Sequence, residues 1–130
     1  MPMATWDDVR RAALALPEAS EREQRGDVQW RVKDKLFAWE RPLRQSDLDA
    51  LGLDAQQGPV LAIRVADEGV KRSLVAEDPA VFFTTPHFDG YAVILVRLEW
   101  IGRAELEELL VEAWLDRAPK RLAREYLAGQ

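Results

Sequence analysis

The tract YAVILVRLE, residues 91–99, holds five apolar residues in succession, Ala92 to Val96. A strand with one wet face alternates apolar and polar side chains, so an unbroken run reads as a strand buried on both faces for much of its length. It is far shorter than the roughly 20 apolar residues a membrane helix requires. The chain must therefore build a sheet. At 130 residues it is long enough to bury a core as one domain over residues 1–130.

The remaining segments supply the partners of that strand. Thr5 opens a helix: Thr5 and Asp8 stand close to capping-box spacing, and Trp6, Val9, Ala12, Ala13 and Leu16 recur at helical period until Pro17. Residues 18–27 are polar and read as a loop. VQWRVKDKLFAWER, residues 28–41, predicts a β-hairpin about a Lys33-Asp34 turn. That register faces Val32 with Lys35, Trp30 with Phe37 and Val28 with Trp39. It gathers Val28, Trp30, Val32, Phe37 and Trp39 on one apolar face and leaves Gln29, Arg31, Leu36, Ala38 and Glu40 on a more polar one.

Ser46 to Leu51 reads as a short helical turn capped by Ser46 and Asp49. After Gly58-Pro59 comes a strand over 60–66, then a helix over 67–77 that ends at Asp78-Pro79. Its pattern turns Val70, Leu74 and Val75 inward and Glu68, Lys71, Arg72 and Glu77 outward. Residues 80–83 pair or pack briefly. A helix over 104–114 buries Leu106, Leu109, Leu110, Ala113 and Trp114. Pro119 kinks it or starts a new helix, KRLAREYLAG, whose Leu122, Tyr126 and Leu127 face the core. The order predicts an α+β domain: one mainly antiparallel sheet with helices gathered on one face.

Composition excludes several chemistries. The chain has no cysteine and one histidine, which rules out disulfides, thiolate nucleophiles and Cys- or His-rich zinc sites. The opening MPMATWDDVRRA lacks the basic start and apolar centre of a signal peptide, so a cytoplasmic protein is expected, with no membrane partner.

His87 stands in TTPHFDG, near Thr84, Thr85 and Asp89. A Thr–His–Asp relay would need a nucleophile elbow or an oxyanion loop, and the sequence has neither. The preferred reading is a turn in which Asp89-Gly90 supplies left-handed backbone while His87 and Phe88 cover the edge of the core. SDLDALGLD spaces aspartates like a calcium loop but lacks its glycine and terminal glutamate. Glu105, Glu107, Glu108 and Glu112 read as a solvated helix face. No catalytic residue, cofactor or metal site is expected.

The basic residues carry more. Arg31, Lys33 and Lys35 cluster at the hairpin tip, and Arg64 and Arg97 sit within strands. Arg117, Lys120, Arg121 and Arg124 share a helical face if the helix runs through Pro119. Such groups grip phosphates, and a β-ribbon fits a DNA groove. The net charge of −5 argues against coating nucleic acid over the whole surface.

LPEASERE followed by VQWRVKDKLFAW, then TTPHFDGYAVILVRL and RAPKRLAREYL, resembles the MmcQ/YjbR-like family in order and spacing across nearly the whole chain. The departure is the turn, often glycine-rich in that family and Lys33-Asp34 here. The resemblance implies a CyaY-like (frataxin-like) two-layer sandwich and a small bacterial protein. Its members are described as DNA-binding through a double wing of hairpins, and no catalytic residues carry over.

The expected function is thus non-enzymatic DNA binding, with Arg31, Lys33, Lys35, Arg64 and Arg97 on phosphates and Lys120, Arg121 and Arg124 as a second surface. The alternative is a protein-interaction module or small-ligand carrier using an apolar patch around Leu36 and Ala38 on the open sheet face. Iron binding in the manner of frataxin ranks last, because Arg10 and Arg11 balance Asp7 and Asp8.

Overall fold

A computed structural model describes residues 4–130, and among them one six-stranded sheet and five α-helices. In chain order these are α1 (Trp6–Leu14), β1 (Ala19–Gln24), β2 (Asp27–Val32), β3 (Lys35–Glu40), α2 (Gln45–Leu51), β4 (Val60–Arg64), α3 (Glu68–Glu77), β5 (Phe82–Phe83), β6 (Val93–Arg97), α4 (Arg103–Arg117) and α5 (Lys120–Ala128). The strands lie in the order β1-β2-β3-β4-β6-β5, and every neighbouring pair is antiparallel.

The apolar tract forms β6, held between β4 and β5, and its buried residues divide by parity. Ile94 and Val96, with Leu61, Ile63, Phe37 and Trp30, face the main core, where Val9, Ala13, Leu106, Leu110 and Trp114 pack against them. Burying each of these large side chains contributes about 1.5–3 kcal/mol. Val93 and Leu95, with Val60, Ala62 and Phe83, face the other way into a smaller core closed by Phe88, Leu43 and Leu51. The helix layer of α1, α3, α4 and α5 thus covers one face, as expected. A small cap of α2 and the 3-10 turn Pro86–Phe88 covers β4, β5 and β6 on the other. The β1–β3 wing of that second face stays open.

The expected cap of α1 forms: Thr5 N–H donates to the Asp8 carboxylate at 2.9 Å and Asp8 N–H to the Thr5 hydroxyl at 3.2 Å. The two-residue hairpin turn forms as well, with Lys33 and Asp34 at φ 47° and 68°. Those are the left-handed values that a primed hairpin turn demands.

Elsewhere the structure corrects the sequence reading. Residues 18–27 are no loop, since β1 pairs with β2 from Ala19 opposite Val32 to Gln24 opposite Asp27. Its side chains, ASEREQ, are almost all exposed and show no alternation, because an edge strand is held by backbone bonds and needs no apolar face.

The hairpin register also slips. Val32 faces Lys35 and Arg31 faces Leu36, but Trp30 then faces Ala38 and Gln29 faces Trp39. Phe37 is the extra residue of a β-bulge, so the side chains beyond it change face. Phe37 and Ala38 both enter the main core, and Trp39 turns to the opposite face beside Phe88. The bulge lets one strand supply aromatic surface to both cores.

In α3 the expected orientation fails at two positions: Lys71 is only 5% exposed and Val70 is 39% exposed. Lys71 Nζ donates to the carbonyls of Phe88 at 2.7 Å and Tyr91 at 2.9 Å, which offsets the cost of burying an ammonium. Helix α2 is capped by Asp47, which accepts the Arg44 N–H at 2.8 Å, whereas Asp49 pairs with the Gln45 side chain. The chain turns extended at Ala118, so Arg117 ends α4 and does not share a helix with Lys120, Arg121 and Arg124. Leu127 is 56% exposed. No helix among the described residues is long and apolar enough to cross a membrane.

Candidate functional site

The strand ladders place the basic side chains. On the face away from the helix layer, three rows cross the sheet. Ser20, Arg31 and Leu36 lie toward the hairpin tip, with the Arg64–Val93 pair at the same end of β4 and β6. Arg22, Gln29, Trp39, Ala62, Leu95 and Phe83 follow, and then Gln24, Asp27, Val60 and Arg97. Arg31 lies opposite Leu36, and Arg64 lies opposite Val93. Arg97 sits four residues along from Arg64, about 13 Å at the strand rise. Arg64 and Arg97 therefore lie at opposite ends of the β4–β6 part of this face, and of these three only Arg31 is on the open wing.

The hairpin tip does not form a single basic grip. Lys35 points to the helix side of the sheet, on the same parity as Val32 and Phe37. Lys33 pairs with Glu18 at 3.2 Å. Asp34 takes Arg22 at 2.9 Å, and its carbonyl accepts from Arg31 at 3.0 Å, while the Gln29 side chain accepts from Arg31 at 2.7 Å. Arg97 is occupied in the fold: its guanidinium stacks 4.2 Å over the Phe83 ring and donates to the carbonyls of Pro79 and Ala80, and burial lowers its pKa. On α5, Lys120, Arg121 and Arg124 are exposed, with Arg121 paired to Glu125 at 2.7 Å. They lie in the helix layer beside the acidic flank of α4.

What the open face does hold is a cleft of about 450 Å³ at the step between the bare β1–β3 wing and the small cap. Leu36, Trp39 and Gln29 form its floor, and Phe88, Pro42 and Leu43 form its wall. Arg25, from the β1–β2 turn, Arg44, at the start of α2, and His87, on the 3-10 turn, stand exposed around it. Neither Arg25 nor Arg44 enters an ion pair among the described residues. These are the two most available cations on this face, and the sequence reading passed over both. The signal that marks Arg25 is Arg25-Gly26, a hairpin turn dipeptide hidden in a segment read as loop.

The wall is rigid. Arg41 and Asp47 form a buried ion pair at 3.0 Å, and the Arg41 guanidinium lies 5.2 Å from the Phe88 ring centroid. Burial pushes the Asp47 carboxyl up. The Arg44 N–H and the Arg41 charge pull it down further, and the net pKa is lowered. Lys71 holds the other side of the same turn through the Phe88 and Tyr91 carbonyls. His87 packs edge-on against Phe88, with ring centroids 4.8 Å apart, as the turn reading expected. The patch expected around Leu36 and Ala38 does not exist as such, because Ala38 is fully buried in the main core and Leu36 neighbours Trp39 instead.

Charge is distributed unevenly between the layers. Glu105, Glu107, Glu108 and Glu112 stand exposed along α4. Glu105 shows the crowding: partial burial, then Asp78, Glu108 and Glu77, raise its pKa. The negative excess is concentrated there, across the sheet from Arg22, Arg25, Arg31, Arg44 and Arg64.

A protein-family model described as YjbR matches residues 14–115. The uncharacterised proteins Rv2570 of Mycobacterium tuberculosis and Mb2600 of Mycobacterium bovis are each 53% identical to the chain over 130 residues, covering 98% of it and 98% of their own length. Among solved structures, the crystal structure of the Deinococcus radiodurans protein DR2400, assigned to the domain family DUF419, matches with a TM-score of 0.66 at 22% identity. It covers 88% of this chain and 79% of that one.

Proposed function

The chain belongs to the YjbR family, and on that premise we propose that it is a non-enzymatic, cytoplasmic DNA-binding protein that holds the phosphate backbone against the open face of its sheet. One observation supports this most. The unpaired cations Arg25 and Arg44 border an aromatic-floored cleft on the face opposite the acidic α4 surface. A polyanion approaching a protein of net charge −5 is steered toward the face where cations are free and away from the one where carboxylates crowd. The fold likeness expected from the sequence, a CyaY-like sandwich with hairpin wings, suits this reading, with β1–β2–β3 as the wing. The grip moves in this reading from the hairpin tip to the cleft, because Lys33 and Arg31 are engaged by Glu18 and Asp34 and Lys35 points to the helix side.

The test is anisotropy of labelled DNA titrated with the protein at low and high salt. Arg25→Glu with Arg44→Glu is expected to abolish most of the binding, since each lost phosphate contact also lowers the salt slope by about one. Lys33→Glu with Lys35→Glu is expected to change affinity little. The reverse ranking would return the grip to the hairpin tip, and loss only on Lys120→Glu with Arg124→Glu would move it to α5.

A further inference from the structure

Resting on that DNA-binding reading, we infer that the cleft takes an unpaired nucleotide, so that the preferred form of DNA is a single strand. The shape is the first argument. Duplex recognition through a groove uses a convex element, a helix or a protruding ribbon, that enters the groove. Here the free cations surround a concavity, and the Lys33-Asp34 turn has its charges internally paired. At about 450 Å³ the cleft falls within the range that encloses a single small-molecule-sized group.

The floor is the second argument. Trp39 is half-buried, and the bulge at Phe37 alone turns it to this face. Phe88 supports it from behind, with ring centroids 6.4 Å apart, and Phe88 is in turn fixed by Arg41. A supported, half-exposed indole is the platform on which unpaired bases stack irrespective of sequence. Here the exposed Arg25 and Arg44 border it, and the Asp27 and Glu40 carboxylates also line the cleft, so stacking rather than net charge carries the fit. A paired base cannot reach such a floor, because its faces are already covered by its neighbours in the stack.

The polar groups complete the fit. Gln24 and Gln29 line the same cleft: the Gln24 amide offers both donor and acceptor to a base edge, while Gln29, whose oxygen accepts from Arg31, offers its N–H groups. Arg25 and Arg44 border it at the β1–β2 turn and at the start of α2, positions suited to the phosphates on either side of the stacked base. A strand lying along the step between wing and cap would run over Trp39 without crossing the acidic α4 surface.

The experiment compares a short labelled strand of mixed sequence with the same strand annealed to its complement, by anisotropy, for the intact chain and for Trp39→Leu and Trp39→Phe. Single-strand binding tighter than duplex binding by tenfold or more is expected. Trp39→Leu should weaken it about 5- to 150-fold, the effect of losing one stacked base, and so narrow the gap between single strand and duplex. Trp39→Phe should retain most of the affinity. Melting curves accompany each variant. Should Trp39→Leu not fold, Trp39→Phe and Gln29→Ala carry the comparison, the second expected to weaken the single strand selectively. Duplex binding equal to or tighter than single-strand binding, or indifference of the single strand to these variants, overturns the inference while leaving DNA binding standing. Absence of binding to either form at low salt overturns DNA binding itself. Tighter binding of the matching RNA strand overturns the choice of DNA.

Discussion

At the scale of single residues, the buried charges are where small changes have the largest consequences. Lys71 is held under the 86–91 turn by two carbonyls, and its removal takes the ammonium donor from both, leaving Phe88 O with only the Tyr91 N–H and Tyr91 O with only the Val93 N–H. Lys71→Met keeps most of the volume and is expected to lower stability by about 1–3 kcal/mol, read as a shift of the denaturation midpoint. The same change should loosen the turn that carries His87 and Phe88, visible as faster amide exchange at Phe88 and Tyr91. Asp47 gives a pH prediction. Its folded pKa is lowered, so its stabilisation is present above the ordinary carboxylate value and is lost as pH falls through the folded one. Asp47→Asn should therefore flatten the acid limb of the stability profile while lowering stability near neutrality. An unchanged acid limb would assign it to other carboxylates, with Asp8 and Glu21, both also lowered, the next to test.

At the scale of elements, the Lys33-Asp34 turn shows how a sequence rule can hold for an unusual pair. The hairpin was legible from alternating apolar residues, and the turn was placed correctly, although both residues carry positive φ without being glycine. Left-handed backbone costs an L-residue about 1–2 kcal/mol. Lys33→Asn with Asp34→Gly should thus raise the melting temperature by a few degrees, net of the exposed Arg22–Asp34 and Lys33–Glu18 pairs it removes. A fall in melting temperature would mean that the ion pairs at the tip outweigh the backbone strain. Strict alternation could not reveal the bulge at Phe37, because a one-residue insertion leaves the composition of the strand unchanged and alters only which face each later residue meets. That single miss misplaced Trp39 and Ala38, and with them the candidate patch. β1 was illegible for a different reason: an edge strand of charged residues carries no hydrophobic period at all.

At the scale of the molecule, the α+β architecture followed from the order of elements and from the doubly apolar β6, whose two parities proved to feed two separate cores. The candidate cleft did not follow, since it lies between elements far apart in sequence: the β1–β2 turn at Arg25, the β3 floor at Trp39, the start of α2 at Arg44 and the turn at His87. Tertiary convergence of this kind leaves no local spacing to read. The charge asymmetry between the open face and α4 is likewise invisible in a net value of −5. It explains how an acidic protein can present a surface to phosphate.

The most direct measurement is the salt dependence of DNA affinity for the unmodified chain beside Arg25→Glu with Arg44→Glu. The account predicts binding that weakens steeply with salt and, in the double variant, a marked loss of affinity with a shallower slope and an unchanged melting temperature. Equal affinity and slope in the two proteins would contradict it.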